Sequence, residues 1–194
     1  MKWAVLLTSC VRINYPDDKR KEYYLRAIRD WLEKTNLPIF IVESSNYTFP
    51  EFNNTRLKVF SFNLENEPST SQYEAKSILN AMEYFKNDFM NYTHILKVTA
   101  RYYLDVEEII QYVPEDSEII LQHCVNHSIN WNNSEIYGFK IGHEQIFLND
   151  IIHLGFMETT IYKYALNHIM YRLPPINNIY NVERGGDKLI INPL

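Results

Sequence analysis

Glycine is scarce in this chain, with five among 194 residues, and no glycine-rich loop follows the first strand that the sequence predicts. Cysteine is scarcer still. Cys10 and Cys124 give neither a metal-binding spacing nor a disulfide framework, so a reducing compartment is the expectation. There is no excess of basic charge: the formal net charge is −5, which argues against a general nucleic-acid binder. No apolar run approaches the length that spans a bilayer. The opening Trp3 to Leu7 is too short even for the core of a signal peptide and reads as a buried strand. A soluble, cytoplasmic protein with no transmembrane segment is expected. Internal repeats and low-complexity linkers are absent too, and no D-x-D triplet occurs anywhere.

What remains is an ordinary globular composition, 46% hydrophobic and 22% charged, in a length that suits one domain. The first apolar strand ends in Thr8-Ser9-Cys10. Tyr24, Ala27, Ile28, Trp31 and Leu32 then keep helical spacing among charges. Leu37 to Val42 is a second apolar strand and stops abruptly at Glu43-Ser44-Ser45, and Leu57 to Phe62 gives a third. Beyond Ser71, the positions Ala75, Ile78, Leu79, Met82 and Phe85 share one helical face.

The stretch Thr93 to Leu104, THILKVTARYYL, begins as a strand and turns polar at its carboxyl end. Lys97, Thr99 and Arg101 fall at a period of two, so an extended chain would place them on one face. Asp105 and Glu108 then have the spacing of a capping box for a short helix. Glu118 to Leu121 is a further strand. The order β-α-β-β-α-β-α-β with apolar strands predicts an α/β sheet with helices on both faces. In such sheets ligands bind at the strand carboxyl ends, and a Lys and an Arg there favour an anion such as phosphate. Later, Glu135 to Ile141 alternates as a strand, Gln145 to Ile152 reads as a short helix, and Ile161, Tyr164, Ala165, His168 and Ile169 line one face of another. His168 on that face reads as a core histidine. The tail carries the paired glycines Gly185-Gly186.

This order of elements resembles a glycosyltransferase of the GT-A fold, and the resemblance covers most of the chain. The segment Lys97-Val-Thr-Ala-Arg101-Tyr-Tyr stands where that family's metal-binding D-x-D normally sits. It is similar to the K-x-T-G-R-Y-Y signature of a branch of microbial and viral surface-glycan transferases that lack a conventional D-x-D, departing from it by Ala100 for glycine. The resemblance implies a single Rossmann-like domain over 1–194, with a mostly parallel central sheet. Residues 1–125 would bind the nucleotide sugar and 126–194 would form the acceptor side.

The partners implied are a nucleoside-diphosphate sugar, UDP-linked or related, and a glycan acceptor, with no nucleic acid. Thr8, Ser9, Cys10, Glu43 and Ser44 would hold the nucleoside. Lys97 and Arg101 would neutralise the diphosphate in place of a metal, with Thr99 binding the nucleotide sugar beside them and Arg12, Gly185 and Gly186 closing over the phosphates. Glu158, which resembles the family's acidic residue at the acceptor side, would be the catalytic base, with Asp150 and His153 in reserve. Trp131 and Tyr137 would line the acceptor side, since sugars stack on aromatic faces. No cofactor is implied beyond a weakly held divalent cation, Mg or Mn, and Asp105-x-Glu107 is the alternative seat for one.

Other readings stay open. Glu43 would serve equally to cap a turn through Ser44-Ser45, and Glu158 to favour a helix amino terminus. The missing glycine-rich loop counts against a sugar-nucleotide pyrophosphorylase. A non-catalytic nucleotide- or carbohydrate-binding module on a degenerate transferase fold is the alternative from another class.

Overall fold

The computed structural model describes residues 1–11, 19–64, 69–122 and 133–174. Arg12, Trp131, Gly185 and Gly186 lie outside them. Seven strands form one sheet: β1 (Trp3–Ser9), β2 (Ile39–Glu43), β3 (Leu57–Ser61), β4 (His94–Thr99), β5 (Ile119–Leu121), β6 (Ile136–Lys140) and β7 (Met170–Arg172), in the order β3-β2-β1-β4-β6-β5-β7. β1 is central and parallel to both β2 and β4, with Trp3 opposite His94 and Thr8 opposite Thr99. β6 runs antiparallel to β4 and β5, while β5 and β7 are parallel. The sheet is therefore mostly parallel, as the apolar strands predicted. It also takes its sixth and seventh strands from the segment after residue 126, expected to serve the acceptor side.

Alternation along the strands sends side chains to two cores. Trp3, Val5 and Leu7 pack with Tyr24, Ile28 and Trp31 of α1 (Arg20–Lys34). Ala4 and Leu6 face the other way, against Ala75, Ile78 and Ala81 of α2 (Thr70–Tyr84) and the helices α5 (Glu144–Leu154) and α6 (Met157–Ala165). Two short helices, α3 (Lys86–Phe89) and α4 (Glu107–Ile110), complete the described elements. α2 begins with a sequence-encoded stop: the Ser69 hydroxyl accepts the Gln72 N–H at 3.2 Å. Gly155 ends α5 in the left-handed region at φ 79°, which lets the chain reverse and start α6 two residues later.

Three expectations fail locally. The predicted capping box at Asp105 does not form, because the helix starts two residues later behind Val106 and no side chain caps it. Glu107 instead accepts the N–H of Asn36. The last helix does not run on to His168 and Ile169. It ends at Ala165, because the chain must turn to lay Met170–Arg172 beside β5. His168 is half-buried beyond that helix rather than on its core face.

Candidate functional site

A cleft of about 380 Å³ opens at the carboxyl ends of β1 and β4, where an open α/β sheet leaves a crevice for ligands. Its floor is Thr8, Ser9 and Cys10 from β1 and the residue after it, with Thr99 from β4. One wall is the amino-terminal half of α2, whose Thr70, Tyr73, Glu74 and Ser77 recur at helical spacing as a polar stripe. The other side brings Arg101, Ser134, Glu135 and Glu158, with Arg20 and Tyr24 of α1 at the rim.

Arg101 does not continue the strand. β4 ends at Thr99, and the Tyr102 N–H returns to the Thr99 carbonyl at 3.0 Å, so residues 99–102 turn. Two tyrosines fix that turn. Trp31 Nε1 donates to the Tyr102 carbonyl at 2.9 Å, and the Tyr103 ring meets Trp31 edge-on at 5.3 Å. Ala100 is fully buried beneath, and its backbone avoids positive φ, so the missing signature glycine strains nothing. The guanidinium, 5.3 Å from the Tyr102 ring centre, keeps a buried Nε with no hydrogen-bond partner among the described residues.

Lys97 behaves differently. It points from β4 toward α2, is fully buried and does not line the cleft. Its Nζ pairs with Glu74 Oε1 at 2.5 Å and donates to the Ser134 carbonyl at 2.6 Å, with Thr99 Oγ1 at 3.4 Å. The Tyr137 ring closes the remaining side at 5.2 Å. Burial pulls the ammonium's pKa below its ordinary value, and Glu74 opposes that shift. The expectation that Lys97 grips phosphate is therefore corrected. Its donors are spent on Glu74 and Ser134, which place two cleft residues.

Glu43 is also corrected. It is fully buried beneath the cleft wall. Oε1 accepts the Val11 N–H at 2.8 Å, and Oε2 accepts those of Ser45 at 2.9 Å and Tyr47 at 2.7 Å. The Ser45 hydroxyl adds a bond of 2.5 Å. This carboxylate knits the loops after β1 and β2 together, and the turn-capping alternative describes it better than nucleoside binding. Ser44, next to it, does reach the cleft.

Glu158 lies on the cleft in the first turn of α6, where Ser134 Oγ donates to its Oε1 at 2.9 Å. Its reserves do not join it: Asp150 and His153 are exposed on α5 and line no part of the cleft. Tyr137, expected on the acceptor surface, is fully buried beside Phe139 and Phe147, because its position on β6 faces the α2 core. The residues not foreseen are Arg20, Tyr24, Thr70, Tyr73, Glu74, Ser77, Ser134 and Glu135. The stripe Thr70, Tyr73, Glu74 and Ser77 is readable from its helical spacing, beside the apolar face of Ala75, Ile78 and Leu79. Tyr24 is 5% exposed, its hydroxyl donates to the Cys10 carbonyl at 3.5 Å, and burial raises its pKa to about 12.

Glu74 is committed to Lys97 and Thr8, Glu158 accepts from Ser134, and with Glu135 they form no metal-holding cluster among the described residues.

The seven-stranded, mostly parallel sheet with a polar cleft at its parallel strand ends is a Rossmann-like α/β fold. Among solved structures the chain is similar to a glycosyltransferase involved in the glycosylation of the major capsid of PBCV-1, at 12% identity and a TM-score of 0.57 over 89% of this chain and 82% of that one. At that identity the likeness concerns the fold. No protein-family profile and no curated protein matches the chain.

Proposed function

We propose that this protein is a glycosyltransferase that moves a sugar from a nucleoside diphosphate to a hydroxyl of a glycan, with inversion and without a D-x-D metal site. The observation that carries the reading is Arg101, a cation held on a braced turn at the strand ends, with a buried Nε still seeking an acceptor. Arg101 and Arg20 flank the same cleft and would take the diphosphate charge that the bond-breaking step develops. Ser9, Cys10, Ser44 and Tyr73 line the side suited to the nucleoside.

In the proposed step an acceptor oxygen attacks the anomeric carbon as its bond to the diphosphate breaks. The acceptor proton passes to Glu158, and the electron pair leaves on the diphosphate. Ser134 aims that carboxylate, and the Lys97–Glu74 pair holds the Ser134 carbonyl. The support is the cleft's place in the sheet, its two arginines, the carboxylate opposite and the fold's likeness to a glycosyltransferase.

The test is calorimetry with UDP and uridine on wild type and Arg101→Ala, each with and without EDTA, followed by a donor-turnover assay. Arg101→Ala should weaken UDP by about tenfold or more, as loss of charge-assisted hydrogen bonds implies, and leave uridine nearly unchanged. Arg101→Lys should restore part of the loss. UDP binding abolished by EDTA alone would refute the cation-for-metal reading. Binding without turnover, with or without added Mg or Mn, would refute the transferase and favour a binding module.

A further inference from the structure

At the end of the sheet away from the cleft, three side chains from distant parts of the chain converge. Glu118 immediately precedes β5, His143 precedes the first turn of α5, and His168 lies in the turn between α6 and β7. Each offers a ligand atom, and the three atoms lie within 4.8 Å of one another. None is fully exposed. We propose that Glu118, His143 and His168 form a binding site for a borderline divalent transition ion of the zinc class, two imidazoles and one carboxylate, which clasps the short edge strand β7 to the body of the sheet.

The backbone already brings these groups together. The Glu118 N–H donates to the Ile169 carbonyl at 2.7 Å, and its own carbonyl accepts from Lys140 at 3.0 Å, so it sits between the ends of β6 and β7. The His143 N–H donates to the Lys140 carbonyl at 3.1 Å. A single residue of α6, Tyr164, orients both rings. His168 Nδ1 lies 2.8 Å from the Tyr164 carbonyl, which can only accept. The Nδ1 of that ring therefore carries the proton, and Nε2 of the neutral ring keeps its lone pair. The ring also stacks on Tyr164 at 3.6 Å, which fixes its plane. His143 Nδ1 lies 3.2 Å from the Tyr164 hydroxyl, which can accept from it or donate to it, and in the tautomer with Nδ1 protonated Nε2 keeps the lone pair for an ion.

A ligating histidine is usually held through its other nitrogen in just this manner, by a carbonyl or oxygen acceptor. Glu118 Oε2 accepts the Ile169 N–H at 3.2 Å, which turns the carboxylate and leaves Oε1 for an ion.

Two imidazoles with one carboxylate suit zinc, cobalt or nickel, whereas magnesium and calcium ask for more oxygens. β7 is three residues long and pairs along one edge with β5. A metal joining His168 to Glu118 ties the entry of that strand to its partner, and His143 ties both to α5. None of this rests on the catalytic reading, since the cluster shares no residue with the cleft.

The test uses the full chain, stripped with chelator and dialysed, then titrated with Co²⁺ and followed by visible absorption, with Zn²⁺ as competitor. One equivalent should bind with the intense bands of a low-symmetry site, and Zn²⁺ should raise the thermal midpoint. His168→Gln and Glu118→Gln, each shown folded by its metal-free melting curve, should weaken binding at least about tenfold, since even partners behind a ligand matter by 10–100-fold. Tyr164→Phe should weaken it through His143 and serves if His168→Gln does not fold. The control is His153→Ala, exposed at the far end of α5 from His143, which should bind as wild type. Failure to bind one equivalent of Co²⁺, affinity unchanged in both Gln variants, or affinity lost in the control would each overturn the proposal.

Discussion

Replacing Lys97 separates the two roles a strand-end cation can have. The side chain has no solvent exposure, and its ammonium meets the Glu74 carboxylate, the Ser134 carbonyl and the Thr99 hydroxyl. Removing one partner of a buried ion pair generally costs about 3–5 kcal/mol, because the survivor is left uncompensated. Lys97→Met keeps the volume, and Glu74, with 25% of its side chain exposed, retains the Thr8 hydroxyl and access to water. Its cost should therefore lie near the lower end, about 3 kcal/mol, with part of it the orphaned Ser134 carbonyl. Glu74→Gln strands an ammonium that water cannot reach, so its cost should approach about 5 kcal/mol. The double variant should recover much of the sum, giving a coupling of about 3 kcal/mol in a double-mutant cycle. Urea unfolding followed by far-ultraviolet circular dichroism measures all four proteins. Additive effects, or a Lys97→Met cost below about 1 kcal/mol, would refute the buried-pair account. Calorimetry on folded Lys97→Met supplies the second half. UDP affinity should fall much less than in Arg101→Ala, and an equal fall would return Lys97 to the phosphate.

Glu158→Gln should lower turnover by about 100-fold or more while leaving the donor dissociation constant nearly unchanged, because a general base acts in the chemical step; near-wild-type turnover would take the base role from Glu158. Glu43→Ala should lower stability by at least about 3 kcal/mol in urea unfolding, since three backbone N–H groups lose their acceptor; an unchanged midpoint would contradict its place as a loop organiser. The folded-state pKa of Tyr24 is raised to about 12, so the stability it contributes is full below the unfolded value near 10 and is lost as pH rises through 12. Wild type should lose about 3 kcal/mol more than Tyr24→Phe across that window, and equal losses would show that the phenol is not held protonated.

The strands were legible in the sequence because each is a short, nearly unbroken apolar run, and a run buried on both faces admits few readings other than a parallel strand. Trp3 to Leu7 and Ile39 to Val42 are such runs, and they lie in one sheet beside His94 to Val98, whose apolar pattern is interrupted by the buried His94 and Lys97. β7 was not legible. Met170–Arg172 is three residues, two of them exposed, and only the neighbouring β5 edge makes it a strand. Arg101, Thr8, Ser9 and Glu158 could be picked as candidates, since polar residues at strand and helix ends stand out against apolar surroundings, and the fold brings all four to one cleft.

What each ionised side chain does there was decided by packing alone. Lys97 and Arg101 look alike in sequence, two cations at a period of two. β4 stops at Thr99 between them, so Lys97 stays on the strand face beneath α2 while the turn carries Arg101 to the cleft. Glu43 and Glu74 exchange roles for a similar reason. The first meets backbone N–H groups of its own loops, and the second sits on the helix that crosses above the strand ends. Periodicity fixes which face of an element a residue occupies. It does not fix which element lies opposite that face, and for a buried charge the opposite element sets both its partner and its chemistry.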